Sequence, residues 1–265
     1  MPSQSPPGSS LDGGLAAFAR SVALWPPPAD GPENPSFPLT VRDAWADLHR
    51  MHREPAPQPR PLVLVGGWLD PLVGMRWVQR RLGKCFARPR ILLVHHAIFA
   101  THRAYRDRLV AAVDAAFPGE EVDVVGHSMG GLLARYAARP VEGAKRIRIH
   151  SLYTLGTCHR GAAMAPLVPL EPLARAMLPG SPHLRMLDDA LPAAEYRLVC
   201  YARLQDELVG TDRCAPAAHP LHWVPNRRFQ RAHRRCRDDA RLIADVARRI
   251  RGEEPFAKEP AAPLP

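Results

Sequence analysis

Residues 126–130 read GHSMG, which matches the pattern G-x-S-x-G and makes Ser128 a candidate nucleophile. An apolar run at 121–126 precedes this segment, and a helical pattern over 130–138 follows it. A Ser on a sharp strand-to-helix turn presents its Oγ above the sheet, and small flanking residues permit the close backbone approach. The positive end of the following helix would also lie beside that hydroxyl. This context predicts covalent catalysis by a Ser.

Two other segments accompany this turn: residues 155–161 read LGTCHRG, and residues 206–209 read DELV. With GHSMGG at 126–131, they resemble the α/β-hydrolase superfamily, more closely its bacterial lipases and esterases, over roughly residues 61–250. Cys158 stands where that family's L-x-T-P-H-x-G segment usually has Pro. The resemblance implies a Ser-His-Asp triad that needs neither a metal nor an organic cofactor.

The elements that must position such a triad are visible as an alternation of strand and helix patterns. Short apolar runs predict strands over 61–66, 90–95, 121–126, 146–155, 196–202 and 221–225. Apolar residues at helical spacing predict helices over 101–117, 130–138 and 237–250. This alternation predicts an α/β fold with a mostly parallel sheet flanked by helices on both faces.

The acid of the triad is expected after the next-to-last strand, since in this family the chain order is Ser, then Asp or Glu, then His. Asp206 lies four residues past the strand predicted over 196–202, and Val209 completes the family's D-x-x-V pattern. Glu207 is the neighbouring alternative.

Three His residues follow the acid: His219, His222 and His233. We predict His233 as the base, because 27 residues separate it from Asp206 and it precedes the terminal helix. His222 is the alternative base, although it lies in the last predicted strand, and His219 is followed by Pro. The basic run at 227–235 is expected to lower the pKa of His233.

Two backbone amides are predicted to stabilise the oxyanion of the reaction. One is the N–H of Met129, which follows the nucleophile. The resemblance implies the N–H of Trp68 as the second donor, in the loop GGW at 66–68, where the family usually reads H-G-x.

The chain divides into three parts by composition. Residues 1–60 form a Pro-rich extension with two short helices, 61–252 the hydrolase domain, and 253–265 a disordered tail. Within the extension, 26–38 and 54–60 are predicted to be linkers. The first helix carries Leu15, Phe18, Val22 and Trp25, and the second Val41, Trp45, Leu48 and Met51.

An apolar insertion at 162–192 predicts a short lid that shapes an acyl pocket.

Charge and Cys content restrict the class of protein. The net charge is +10, but only three of the 36 Lys and Arg residues are Lys and no nucleic-acid motif frames them, so nucleic-acid binding is not expected. Five widely spaced Cys residues without a C-x-x-C pair predict neither a disulfide framework nor a zinc site. No signal peptide or membrane-spanning run is evident, and we expect a cytoplasmic protein.

These features predict a lipase- or esterase-like hydrolase of carboxylic esters with apolar acyl groups, with a small-molecule ester or lipid as substrate. Acyl transfer and thioester or amide hydrolysis use the same triad and stay open, as does a catalytically silent binding protein on this fold. Peripheral contact with a membrane also stays open. The natural substrate and the oligomeric state do not follow from the sequence.

Overall fold

A computed structural model describes residues 33–68, 72–94, 101–167, 172–226 and 230–265 of the chain. The first predicted helix, at Leu15 to Trp25, lies outside the described residues, as do His95, His96 and the run 227–229.

The described residues form one parallel sheet of six strands, each at the position that the apolar runs predict. The strands are β1 Leu62–Val65, β2 Ile91–Val94, β3 Glu121–His127, β4 Arg148–Leu155, β5 Arg197–Arg203 and β6 Leu221–Val224. Their order across the sheet is β2-β1-β3-β4-β5-β6, and every neighbouring pair is parallel. The predicted fold class is confirmed.

Helices cover both faces of this sheet in the described part of the chain. They are α1 Val41–Arg53, α2 Leu72–Lys84, α3 His102–Ala116, α4 Met129–Ala138, α5 Pro172–Ala176, α6 Pro182–Ala190, α7 Ala232–Cys236 and α8 Ala240–Arg251. The terminal helix predicted over 237–250 begins later, at Ala240, because the side chain of Asp239 caps it by accepting the Arg241 N–H. The separate short helix α7 precedes it.

The two sheet faces bury two separate cores, as alternation along a strand requires. Leu62 and Leu64 of β1 pack with residues of α1, α2 and α8, whereas Val63 and Val65 pack with α3 and α4. A third apolar cluster joins α4 to the insertion at 162–192.

The boundary predicted at residue 60 does not separate two structural units. Leu48 and Met51 of α1 are completely buried in the core that α8 shares. Asp47 accepts hydrogen bonds from Arg248 at 2.8 and 3.0 Å. The predicted linker at 26–38 is also packed where it is described, since the Asn34 side chain donates to the Trp223 carbonyl at 2.6 Å.

The prediction of a disordered tail at 253–265 is contradicted by specific contacts. The Ala257 N–H donates to Asp245 Oδ1 at 2.8 Å, and the Ala262 N–H donates to Ser36 Oγ at 2.7 Å. The Trp223 indole N–H donates to the Ala262 carbonyl at 3.0 Å. Composition misled here because the Ala residues between the prolines keep backbone N–H and C=O groups, and distant side chains pair with them.

None of the helices in the described part of the chain has the length and hydropathy needed to cross a lipid bilayer. All five Cys residues are buried as free thiols.

Candidate active site

Ser128 occupies a strained turn between β3 and α4. Its φ of 54° and ψ of −129° are unusual for a residue with a side chain. The glycines on either side are needed for close approach, because a Cβ on Gly126 would lie 2.6 Å from the Gly131 Cα, and one on Gly130 would collide with the Val65 carbonyl. The Ser128 N–H is held by the Leu155 carbonyl of β4 at 3.0 Å. The turn therefore has the geometry expected from the G-x-S-x-G pattern.

His233 and Asp206 form a continuous row of hydrogen bonds with this Ser. His233 Nε2 lies 3.0 Å from Ser128 Oγ, and His233 Nδ1 lies 2.8 Å from Asp206 Oδ2. Asp206 is 1% exposed and also accepts the N–H groups of Leu208 and Val209, at 3.1 and 2.8 Å. These bonds orient the carboxylate, which in turn sets the orientation of the imidazole.

The charges of His233 and Asp206 act on each other: the pKa of the imidazole is raised and that of the carboxyl is lowered. Burial by itself lowers the pKa of His233, but the adjacent Asp206 carboxylate outweighs it and raises that pKa above the usual 6.5. Burial by itself raises the pKa of Asp206, yet the charge and hydrogen bond of His233 lower it overall. The expectation that the basic run at 227–235 lowers the pKa of His233 is therefore wrong, because Asp206 and then Glu207 raise that pKa and together outweigh burial and the charge of Arg237.

Glu207 has a contact that the sequence did not predict. Its Oε2 accepts the backbone N–H of His233 at 3.1 Å, in the first turn of α7. Amides in a first helical turn lack intrahelical partners, so this carboxylate holds the start of the helix that carries His233. In the sequence, Glu207 could be recognised only as an acidic residue next to Asp206.

The acid limb of the pH profile of kcat/KM is expected to have its midpoint above pH 6.5. Only neutral His233 can accept the Ser128 proton, so activity is lost as the pH falls through the raised pKa of His233. Steady-state rates between pH 5 and 9 on a neutral ester test this. Glu207→Gln should move the midpoint to lower pH, since a negative charge is removed; a wild-type midpoint at or below 6.5 would contradict the assignment.

Asp206→Asn is expected to lower kcat by up to about 10⁴-fold, because an amide cannot stabilise the charged imidazole or select its tautomer. Glu207→Gln is the matched control, since the amide oxygen can still accept the His233 N–H. We expect it to cost tenfold or less, because the hydrogen bond is kept and only the difference between a charged and a neutral acceptor is lost, about 1 kcal/mol. If Glu207→Gln were the more damaging change in kcat, Glu207 would be the orienting acid.

The alternative base, His222, lies elsewhere. It is buried in β6, its Nε2 lies 3.3 Å from Glu259 Oε1, and its ring packs 5.7 Å from that of Tyr201. His159 is also buried, with contacts to Arg135 and Thr154, and its pKa is well below the usual value, chiefly through burial. The structure brings only His233 of the three candidate bases to Ser128 within the described residues.

Comparison with known proteins addresses the fold. No family model and no curated protein sequence matches the chain. Among solved structures, the lipase BlEst2 of Bacillus licheniformis in its propeptide form matches 78% of this chain and 54% of its own, with 15% identity and a TM-score of 0.53. The lin2722 gene product of Listeria innocua matches 71% of this chain and 92% of its own, with 15% identity and a TM-score of 0.50.

These matches agree with the parallel six-stranded sheet flanked by helices. The chain has the α/β-hydrolase fold. Phospholipase PlaB of Legionella pneumophila is also similar, with 14% identity over 58% of this chain and a TM-score of 0.47, and the chain spans only 45% of its length. At sequence identities this low, the structural matches show the α/β-hydrolase fold alone.

In this α/β-hydrolase fold, the loop after β1 lies directly against the nucleophile. A Cβ on Gly67 would lie 2.8 Å from Ser128 Cβ and 3.3 Å from the His127 carbonyl. Trp68 is the next residue and lines the same cavity as Ser128. Met129 is the first residue of α4, where amides have no intrahelical partner. Both predicted oxyanion donors therefore belong to segments that meet at Ser128.

Gly67→Ala is expected to lower kcat/KM by about 10²-fold, because the added methyl group must displace either the loop or Ser128, and small misplacements are costly in catalysis. Gly83→Ala in α2 is the control, since its Cβ would make an ordinary contact of 3.5 Å with Ile91. Steady-state kinetics of the two variants test this. Equal activity of both would mean that the loop does not position the reacting groups.

A cavity of about 490 Å³ opens onto Ser128 and His233. The insertion at 162–192 supplies most of its apolar lining, through Ala162, Met164, Ala165, Ala174 and Met177. Cys158 lines it too, and burial raises the pKa of that thiol to about 12, so it stays protonated and apolar in character.

In the part of the chain that the structure describes, no group of three His, Cys, Asp or Glu side chains could hold a metal ion.

Proposed function

We propose that the protein is a serine hydrolase that cleaves carboxylic esters with apolar acyl groups through an acyl-enzyme. The observation that carries this proposal is the row Asp206–His233–Ser128, with spacings of 2.8 and 3.0 Å, at the edge of an apolar cavity. A binding protein derived from this fold would have no need of a buried acid aligned with a base and a nucleophile.

In acylation, Ser128 Oγ attacks the ester carbonyl while His233 Nε2 takes the hydroxyl proton. The carbonyl oxygen becomes an oxyanion, which the amides of Met129 and Trp68 would stabilise. Asp206 stabilises the imidazolium by accepting from Nδ1 and does not itself take the proton. His233 then donates its proton to the leaving alcohol as the C–O bond breaks.

In deacylation, water repeats these steps. His233 takes a proton from the water as its oxygen attacks the acyl carbon, and the proton returns to Ser128 Oγ when the acid leaves. The apolar wall at 162–192 favours aliphatic acyl groups, since each buried methylene contributes roughly 0.8 kcal/mol. This contribution supports a lipase- or esterase-like preference.

A fluorophosphonate probe followed by a series of p-nitrophenyl esters tests the proposal. We expect labelling at Ser128 and turnover that rises with acyl length until the cavity is filled. Labelling without ester turnover would favour a thioesterase, amidase or acyltransferase that uses the same Ser. Absence of both would favour the catalytically silent alternative.

A further inference from the structure

His127 is the last residue of β3 and directly precedes Ser128. Its backbone is fixed by the sheet, because it pairs with Leu155 of β4, and the Leu155 carbonyl also accepts the N–H of Ser128. The residue is 3% exposed and lines the cavity together with Ser128 and His233. A buried imidazole on a strand therefore lies beside the proposed base, although the proposed proton transfers do not use it.

The His127 ring contacts the residue that carries the base. His127 Nε2 lies 3.2 Å from the backbone carbonyl oxygen of His233, and the centroids of the two imidazole rings are 5.1 Å apart. A carbonyl oxygen only accepts hydrogen bonds, so Nε2 of His127 carries a proton and donates this bond. His127 thus binds the main chain of His233, whereas Ser128 and Asp206 bind its side chain.

The main chain of His233 depends on such contacts because α7 has only five residues. A helix this short is not stable by itself, and the carbonyl groups of its last turn lack intrahelical partners. The N–H of His233 donates to Glu207 Oε2 at 3.1 Å, and its carbonyl accepts from His127 at 3.2 Å. Two side chains from distant parts of the chain therefore hold the backbone of the base from both ends of the residue.

Displacement of this backbone would move the imidazole of His233 relative to the nucleophile. His233 Nε2 lies 3.0 Å from Ser128 Oγ, and proton transfer requires that distance to stay within hydrogen-bond reach. A misplacement of about 1 Å can cost about 10²-fold in rate. The bond from His127 restricts such displacement, because it joins the strand that leads to Ser128 to the helix that carries His233.

The same ring also packs against the loop after β1. His127 Nδ1 lies 3.3 Å from the position that a Cβ on Gly67 would occupy. Support of this loop would affect the predicted oxyanion donors whether or not the base is present. The hydrogen bond to the His233 carbonyl, in contrast, can affect the reaction only through the base, so experiment can separate the two roles.

We propose that His127 is a positioning residue for the base: its Nε2–H holds the His233 carbonyl and thereby keeps the imidazole of His233 within reach of Ser128. The contact with the base is a directed hydrogen bond to the main chain of the residue that must be placed, which favours this role over support of the loop. The inference rests on the proposed ester hydrolysis and adds a residue that acts through His233.

His127→Met and His127→Gln test the inference, because the two side chains have similar length but only Gln carries an N–H donor near the place of Nε2. The maximum single-turnover rate of Ser128 acylation and the half-saturating ester concentration are measured for each variant. Met should lower the rate by about tenfold or more, with the half-saturating concentration within about twofold of wild type. Gln should restore the rate to within about threefold of wild type.

His222→Met is the matched control. His222 is also a buried imidazole, but it lies in β6 and is not among the described residues that line the cavity. Its replacement should change the acylation rate by less than about threefold, since distant sites act independently. Thermal unfolding shows whether each variant folds. If His127→Met does not, His127→Asn takes its place, because its amide ends near the position of Nδ1 and does not reach the His233 carbonyl.

The His233→Ala background separates action through the base from general support of the site. Residual acylation by an activated p-nitrophenyl ester is compared in His233→Ala and in the double variant that also carries His127→Met. The second change should lower this residual rate by less than about twofold, because residues that act as a unit are not additive. A merely structural role would lower the rate by the same factor in both backgrounds.

Equal acylation rates of His127→Met and His127→Gln, or an equal loss in the presence and absence of His233, would overturn this inference and leave ester hydrolysis intact. Failure of the wild-type protein to hydrolyse any ester, together with failure of the fluorophosphonate to label Ser128, would instead overturn the proposed function, and this inference with it.

Discussion

Ser128→Ala is expected to lower kcat by about 10⁴-fold or more while the protein stays folded. The loss should be this large because in the proposed mechanism the Ser128 hydroxyl attacks the ester, and its Oγ lies 3.0 Å from His233 Nε2 with no other hydroxyl in the hydrogen-bonded row. Ala has the same Cβ as Ser, so the turn with φ of 54° keeps its backbone strain unchanged. Steady-state ester hydrolysis and fluorophosphonate labelling measure the loss.

Ser151→Ala is a matched control for this change. Ser151 is buried in β4, where its hydroxyl lies 3.0 Å from His150 Nδ1, away from the cavity. It should leave labelling at Ser128 in place and turnover within a few-fold of wild type. Circular dichroism and thermal unfolding would show that both variants fold. Turnover retained by Ser128→Ala would remove Ser128 from the mechanism.

His233→Ala is expected to abolish rapid acylation of Ser128, with a loss comparable to that of Ser128→Ala, because members of a catalytic row act as a unit. His222→Ala should keep the acylation rate within about tenfold of wild type, since the His222 side chain contacts Glu259 and Tyr201. Single-turnover acylation with a chromogenic ester separates this step from product release.

His222→Ala also serves as the control for loss of a buried imidazole. Any general cost of emptying such a site should appear in its thermal stability rather than in its acylation rate. Acylation that survives loss of His233 but not of His222 would reverse the assignment of the base.

Local sequence predicted the strands and helices of this protein and the turn that carries the proposed nucleophile, Ser128. The strands require only short apolar runs, and the turn at Ser128 requires small residues at fixed offsets, so both are encoded within a few neighbouring residues. Asp206 could also be predicted, because its place after β5 follows from the order of elements along the chain. The α/β class with a mostly parallel sheet follows from the same alternation, whereas the α/β-hydrolase assignment came from the resemblance carried by the motif at 126–131.

Tertiary structure alone brought His233 to Ser128, packed the chain ends and set the charge of the cavity lining. The sequence predicted His233 but kept His222 as the alternative, because side-chain direction depends on the short helix α7, whose start is held by Glu207 from another loop. The tail at 253–265 is ordered by long-range hydrogen bonds to Asp245 and Ser36, which composition does not encode. Arg237 reaches the cavity because Gly74, far away in the chain, leaves it room. These features depend on contacts between distant segments, and such contacts exist only after the chain has folded.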